Sequence, residues 1–367
     1  MTQSIGVDMS KKIYIVSLLG AGNAGGVEKV SWYLKELLKE KYDVEILERS
    51  RFSFGKLNNL IHPILMSLRI WALNFAKADT HKSFIIGNSW HCFLYPADIS
   101  IHHGTSAGIM KYTGEGGISL KLTSWMEKVS ARRAKKILAV SENCKKELAE
   151  LYGIDTAKIT VLNNFVQDEV FTPVTEKSNL VENGKKVINV CFSGALLEKK
   201  GIDKLLEFSD FIETDKMFEK SENQDFVLKL NIATNYEKNA QPFMGRKNTN
   251  VKIGLTSDQM PDFYRANDIM FFPTRYEGFS MAALEAVSCG LSLVGTEFAV
   301  SPELSDFDFC RQISLNSSME KVTEAVIELF KKFCLGTARI EIHNAVKERF
   351  GTEQYKKKLF DLIESLS

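Results

Sequence analysis

Two glutamates eight positions apart stand where a strand-like run gives way to a helix. The stretch is Phe271-Phe272-Pro273-Thr274-Arg275-Tyr276-Glu277-Gly278-Phe279-Ser280-Met281-Ala282-Ala283-Leu284-Glu285-Ala286. A buried strand ending at Pro273 and a helix starting near Ser280 place Glu277, Glu285 and several backbone N–H groups at the carboxyl end of that strand. N–H groups at a helix start take phosphate oxygens, and carboxylates take sugar hydroxyls, so the combination suits a polyhydroxylated ligand that also carries phosphate. Two glutamates taken alone read more plainly as a solvated loop residue and an exposed helix residue. A second loop could also hold phosphate. Gly20-Ala21-Gly22-Asn23-Ala24-Gly25 follows the apolar run Ile13–Leu19 and spells G-x-G-x-x-G, with Glu48 near the end of the next strand-like run. Such a loop is a weak sign of a dinucleotide site. Its next turn holds Glu28 and Lys29 where that site favours a small residue. Ile101-His102-His103-Gly104 adds two imidazoles at a strand end, whose side chains alternate in direction.

The elements that position these residues alternate throughout. Strand-like Ile13–Leu19, Tyr42–Leu47, Ser83–Gly87, Ala97–His102, Lys136–Ser141 and Thr160–Leu162 alternate with helical stretches such as Val27–Leu38 and Asn143–Leu151. The polar run Pro173–Lys186 reads as a linker. The pattern then restarts with strands at Val187–Ser193, Phe226–Ala233, Asn250–Ile253, Ile269–Phe272 and Ser292–Val294. Helices are expected at Ile202–Phe211, Met260–Arg265 and Ala282–Ser288. This alternation predicts an α/β protein of two doubly wound parallel domains, with the cleft between them as the ligand site.

Composition narrows the class. The 367 residues are 44% hydrophobic and 25% charged, enough apolar material for two cores. Net charge is +1, which excludes a global bias toward nucleic acid or membrane. Residues 1–172 hold 22 Lys/Arg and 17 Asp/Glu, leaving 47 − 22 = 25 and 46 − 17 = 29 for the rest, a mild basic-to-acidic split. Six scattered cysteines with no C-x-x-C pair read as free thiols of a reducing compartment. No signal peptide is evident, which points to a cytoplasmic protein. The most apolar long segment, Leu60–Ala76, carries His62, Pro63 and Arg69 and makes a poor membrane span. Pro63 fits a first helical position, and Ile64, Leu65, Leu68, Trp71, Ala72 and Phe75 then share one face, read as core, with a membrane-facing or acceptor-facing surface as the lesser alternative. The basic stretch Lys121–Lys136, with Trp125, could rest on an anionic membrane or simply face solvent.

The run from Phe271 to Leu291 resembles the signature of the retaining GT-B glycosyltransferases of family GT4, with Glu277 and Glu285 spaced as in its E-x7-E motif. Three further segments agree: Val161–Pro173 with the family's hinge-proximal stretch, Phe192–Gly201 with its phosphate loop, and Gly25-Gly26-Val27-Glu28 with its N-terminal glycine loop. The resemblance implies a GT-B fold of two Rossmann-like domains facing an interdomain cleft. An acceptor-side domain would span residues 1–172, a donor domain 173–348, and a closing helix at 349–367 would cross back to the first domain. It also implies transfer of a hexose from a UDP- or GDP-linked sugar to a glycan or lipid-linked acceptor, in bacterial surface polysaccharide synthesis. In these terms Glu277 contacts the transferred sugar and Gly278, Phe279, Ser280 and Met281 present N–H groups. Glu285 holds the ribose, Ile253 lies beside the base, Gly25 and Gly26 face the diphosphate, and Lys200 supplies charge. His103, directly before Gly104, is the imidazole near the reacting sugar. Ala195 departs from the family's usual Arg, Phe165 from a Gly and Gln167 from an Asp. The expected partners are a nucleotide sugar and its acceptor, with possible peripheral contact at the inner face of the membrane and no nucleic acid. No metal and no tightly bound cofactor is expected, and Asp306-Phe307-Asp308 reads as a loop accident. Two rivals stand beside this reading: an NAD- or FAD-binding oxidoreductase built on Gly20–Gly25, and a non-catalytic GT-B-like subunit, which Ala195 favours.

Overall fold

The computed structural model describes residues 11–18, 26–49, 53–75, 82–174, 180–214, 225–333 and 337–366. The chain forms two compact units. The first comprises residues 1–164 and 356–367, the second 165–355.

In the first unit β1 (Lys12–Val16), β2 (Asp43–Leu47), β3 (Phe84–Asn88), β4 (Ile99–His102), β5 (Lys136–Ala139) and β6 (Ile159–Val161) form one parallel sheet in the order β2-β1-β3-β4-β5-β6. The short apolar runs of β1, β3 and β4 are buried on both faces, as a helix-covered parallel sheet requires. The helices are α1 (Gly26–Leu38), α2 (Asn58–Phe75), α3 (Ser106–Thr113), α4 (Ile118–Arg133) and α5 (Glu142–Tyr152). Ser141 and Thr105 cap α5 and α3 through their side-chain oxygens.

Two expectations for α2 are corrected. The helix begins at Asn58, so Pro63 lies inside it. The apolar face faces outward: Leu68 is 56% exposed, Trp71 45% and Phe75 87%. Buried instead are His62, Pro63, Met66, Ser67, Ile70 and Asn74. Two polar members of that inner face, Ser67 and Asn74, have hydrogen-bond partners. Ser67 donates to the Pro63 carbonyl and accepts from Leu94 N–H, while Asn74 Oδ1 accepts from Ser83 N–H and its Nδ2 donates to Tyr95 Oη.

The second unit carries β7 (Val181–Glu182), β8 (Lys185–Ser193), β9 (Phe226–Thr234), β10 (Thr249–Ile253), β11 (Ile269–Phe272), β12 (Ser292–Gly295) and β13 (Cys310–Gln312). The parallel order is β10-β9-β8-β11-β12-β13, and β7 pairs antiparallel with β8 inside the stretch read as linker. Around the sheet lie α6 (Ile202–Glu213), α7 (Glu237–Ala240), α8 (Met260–Arg265), α9 (Met281–Ser288), α10 (Pro302–Ser305), α11 (Met319–Phe333) and α12 (Ala338–Phe350). The last helix, α13 (Thr352–Ser365), begins in this unit and passes to the first from Lys356.

The first boundary falls at Asn164 rather than 172 because Phe165–Phe171 is bonded into the second unit. Val166 N–H donates to the Phe350 carbonyl, Asp168 accepts from Thr352 N–H, and Ser288 donates to the Phe171 carbonyl. At the far end of this sheet Arg339, 2% exposed, donates to Asp268 Oδ1 (2.7 Å) and to the Asn267 carbonyl (2.7 Å), while Asp268 Oδ2 takes Asn189 N–H. Removing one member of a buried pair strands the other charge. Arg339→Met should therefore lower the unfolding free energy of the second unit by about 3–5 kcal/mol, measured by urea titration.

Candidate functional site

In a doubly wound sheet the strand order reverses at one point, and the loops leaving the carboxyl ends there diverge to leave room for a ligand. In the second unit that point lies between β8 and β11, paired at Ile269↔Val190 and Met270↔Cys191. The loop after β8 holds Lys200, and the loop after β11 holds Glu277.

The two loops are stapled together. Gly201, at φ +77°, lies so close to the Pro273 carbonyl that a Cβ there would stand 2.1 Å from its oxygen. Arg275 N–H and Thr274 Oγ1 both donate to the Lys199 carbonyl, at 2.8 and 3.0 Å. The Arg275 guanidinium grips Asp203 with two bonds of 2.7 Å and also donates to the Glu198 carbonyl. It holds the Asp203 carboxyl below its ordinary range. Thr296 Oγ1 anchors the second loop through the Thr274 carbonyl. Held this way, the Lys200 ammonium forms an ion pair with Glu277 and lies 5.7 Å above the Phe272 ring.

Directly after Glu277 the chain turns into α9. Ser280 caps it by accepting from Ala283 N–H, so the amides of Gly278, Phe279, Ser280 and Met281 lie at the electropositive end of an eight-residue helix. Phe279 is buried against Phe350, which fixes the backbone there. Glu285, on the second turn, is buried rather than solvated. Tyr264 Oη lies 3.3 Å from its Oε2 and 2.7 Å from Ser193 Oγ at the end of β8. Ile253 ends the edge strand β10, half-exposed at the same end of the sheet. Lys200, Glu277, the four amides and Glu285 are thus brought together, with Ile253 farther out.

In the first unit the order reverses between β1 and β3. Gly25 lies outside the described residues, and Gly26 opens α1. The histidine pair separates as strand alternation requires. His102 is fully buried, Nε2 3.1 Å from Ser100 Oγ, while His103 is half-buried with Nε2 3.2 Å from Asn88 Oδ1. Asn88 uses its amide nitrogen to reach Ser31 Oγ, so Oδ1 accepts and His103 Nε2 carries the hydrogen. His91, given no role by sequence reasoning, accepts from Leu18 N–H where the glycine loop departs (3.3 Å). Nothing in its local sequence marked it; the contact spans 73 residues. Tyr264 and Arg275 were missed for the same reason.

Among the described residues no cluster of His, Cys, Asp or Glu could hold a metal ion. Asp306 and Asp308 are ion-paired to Arg349 and Lys332. Among the described residues five cysteines are free and buried, and burial pushes the Cys92 and Cys289 thiols up to about 12.

Comparison with known proteins agrees with the geometry. Residues 24–170 match the model described as Glycosyltransferase Family 4, and residues 175–349 that of Glycosyl transferases group 1. The chain belongs to the family 4 type of glycosyltransferases. An Escherichia coli UDP-Gal:alpha-D-GlcNAc-diphosphoundecaprenol alpha-1,3-galactosyltransferase is 29% identical over 238 residues, 59% of either chain. Among solved structures, a sucrose-phosphate synthase from Thermosynechococcus elongatus superposes with a TM-score of 0.74 at 13% identity, covering 97% of this chain and 99% of that one. Anabaena HepE, solved in complex with UDP and glucose, gives 0.67 at 12% identity, covering 97% and 100%. These likenesses place the glycosyltransferase in the two-domain GT-B fold and remove the oxidoreductase reading of the glycine loop.

Two expected outcomes follow from this geometry. Gly201→Ala should destabilise the glycosyltransferase well beyond the roughly 1–2 kcal/mol that a positive φ costs a side chain. Gly245→Ala, at φ +73° in open space, isolates the backbone cost, so the difference between the two urea titrations reports the Pro273 contact. The second concerns acid. Burial holds His102 down to about 3 and His91 and His103 to about 4, whereas in the unfolded chain they protonate near 6.5. The stability of keeping them neutral is complete above pH 6.5 and drains away as pH falls toward 4. Burial raises Glu127 to about 7 despite the donors Tyr152 and Ser106, and this works in the opposite sense. The melting temperature should fall from pH 6.5 to 4.5, and Glu127→Gln should steepen that fall.

Proposed function

We propose that this glycosyltransferase moves a hexose from a UDP- or GDP-linked donor to a hydroxyl of a glycan or lipid-linked acceptor, with retention at the anomeric carbon. The observation that carries the reading is the Lys200–Glu277 pair set beside the amino end of α9, with Glu285 buried behind it. As the glycosidic bond to the donor breaks, negative charge collects on the departing diphosphate. The α9 amides and the Lys200 ammonium are fixed donors for that charge, and fixed donors need no reorganisation at the moment of reaction. Lys200 acts as a point charge, without the forked geometry a guanidinium would bring where Ala195 stands.

Glu277 accepts hydroxyl hydrogens of the transferred sugar once phosphate takes over Lys200. Glu285, steadied by Tyr264, accepts from the ribose. His103, neutral at pH 7 with Nε2–H committed to Asn88, keeps its Nδ1 lone pair for a hydroxyl. The leaving diphosphate oxygen receives the acceptor's proton in a same-face substitution. The activity of the E. coli relative, a UDP-sugar donor with a diphosphoundecaprenol-linked acceptor, supports both halves of this reading and a role in surface polysaccharide synthesis. The UDP complex of the HepE structure supports the donor class.

A panel of nucleotide sugars incubated with lipid-linked and free saccharide acceptors tests the reading, with the anomeric configuration of the product read by NMR. Glu277→Ala should cut kcat by about 10²–10³-fold with an unchanged melting temperature, and Lys200→Ala should act mainly through donor KM. Full activity in Glu277→Ala, or an inverted product, would overturn the assignment. A wild-type chain inert toward every donor would favour the non-catalytic subunit.

A further inference from the structure

We propose that the outer face of α2 docks this protein on the surface of an anionic phospholipid bilayer. The inference deepens the lipid-linked acceptor reading and rests on it for its purpose, though its physical basis is separate.

At 100° per residue, Ile61, Leu65, Leu68, Trp71, Ala72 and Phe75 fall within an arc of roughly 120° on α2, and Leu57 lies in the turn just before it. The buried residues occupy the opposite side. Leu57, Leu65, Leu68, Trp71 and Phe75 are all exposed. A soluble surface seldom gathers so much apolar area on one helix without a partner.

The face continues beyond α2. Tyr95 stacks edge-on with Trp71 at 5.1 Å, Leu94 N–H is bonded to Ser67 of α2, and Phe93 meets Trp125 of α4 at 5.5 Å. Trp125 and Ile118 of α4 are themselves exposed.

Charge selects the occupant. Between Glu48 and Asp79 the sequence carries Arg49, Arg51, Lys56, Arg69 and Lys77 and no Asp or Glu, so along the chain the apolar stripe is flanked mainly by positive charge. A second copy would bring the same sign against it and be repelled. Apart from the indole N–H the exposed arc offers no hydrogen-bonding group, so it has little with which to register a specific protein. Apolar side chains with aromatic members and flanking cations are what a negatively charged lipid interface accepts. No helix of the described residues is long and apolar enough to cross a membrane, so the contact is peripheral. The basic stretch at Lys121–Lys136 is the weaker candidate. Lys135 is paired with Asp98, and Arg132 and Lys136 reach the Tyr152 and Ala157 carbonyls.

The test is flotation of the full chain with vesicles of phosphatidylglycerol and phosphatidylethanolamine, against pure phosphatidylcholine, at low and high salt. The protein should rise with the anionic vesicles, less so at high salt, and Trp fluorescence should shift to the blue in wild type but less in Trp71→Phe. Leu68→Glu/Phe75→Glu should weaken vesicle binding at least about tenfold with an unchanged melting temperature, because both side chains stand in solvent. Equal flotation of that variant, or no flotation of the wild type, overturns the proposal. So does a dimer in analytical ultracentrifugation that the variant dissolves, which would make a second copy the occupant. Transfer to a short-chain, water-soluble acceptor in the same variant keeps the two readings apart. Lost flotation of the variant with intact transfer is the expected result, whereas flotation of the wild type without transfer to any acceptor overturns only the reaction.

Discussion

The contact on which the second unit's candidate site depends is the one between Gly201 and the Pro273 carbonyl. Two parallel strands, β8 and β11, leave their ends side by side, but their loops could diverge. Absence of a side chain at Gly201 lets the backbones touch. Once they do, the Lys199 carbonyl is in reach of Arg275 and Thr274, and Arg275 reaches Asp203 with both arms. Every later feature inherits this: Lys200 faces Glu277 because its neighbours on either side are fixed, and α9 starts where it does because Pro273–Tyr276 is already pinned. The arrangement is held by backbone carbonyls and one guanidinium, so it is indifferent to most side-chain changes in the two loops.

The first unit solves a related problem with buried imidazoles. His91 accepts a backbone N–H at the start of the glycine loop, and His103 is oriented by Asn88 and Ser31. His91 can accept that bond only as a neutral ring, and burial keeps both rings neutral. A charged histidine would bind an anion more strongly but could not stand in an interior that gives it no counter-charge.

Much of this was legible in the sequence, for physical reasons that differ by element. Strands such as Ile269–Phe272 announce themselves because a strand covered on both faces must be apolar throughout. The turn that carries Glu277 and Glu285 was readable because it is local, one loop and one helix start. α2 misled for an equally specific reason. Periodicity identifies which face of a helix is apolar, not which face is covered, and here Ser67 and Asn74 are buried because bonds formed by distant residues meet their needs. Arg275–Asp203 and His91–Leu18 join positions more than seventy apart, and no spacing rule reaches that far. The segment after Asn164 looked like the tail of the first unit until its backbone bonds to Phe350 and Thr352 showed where it belongs.

Residues 356–366 belong to the unit that the chain begins, with Phe360 against Tyr42 and ion pairs from Lys356 to Glu40 and from Lys41 to Glu364. During translation that tail leaves the ribosome only after all of 165–355 has been made, a wait on the order of 10–40 s at ordinary elongation rates. Throughout that interval the nascent first unit presents Tyr42 and the end of α1 without their cover. The half of the protein that starts first is therefore the half that finishes last, and the newly made second unit must fold beside an unfinished neighbour.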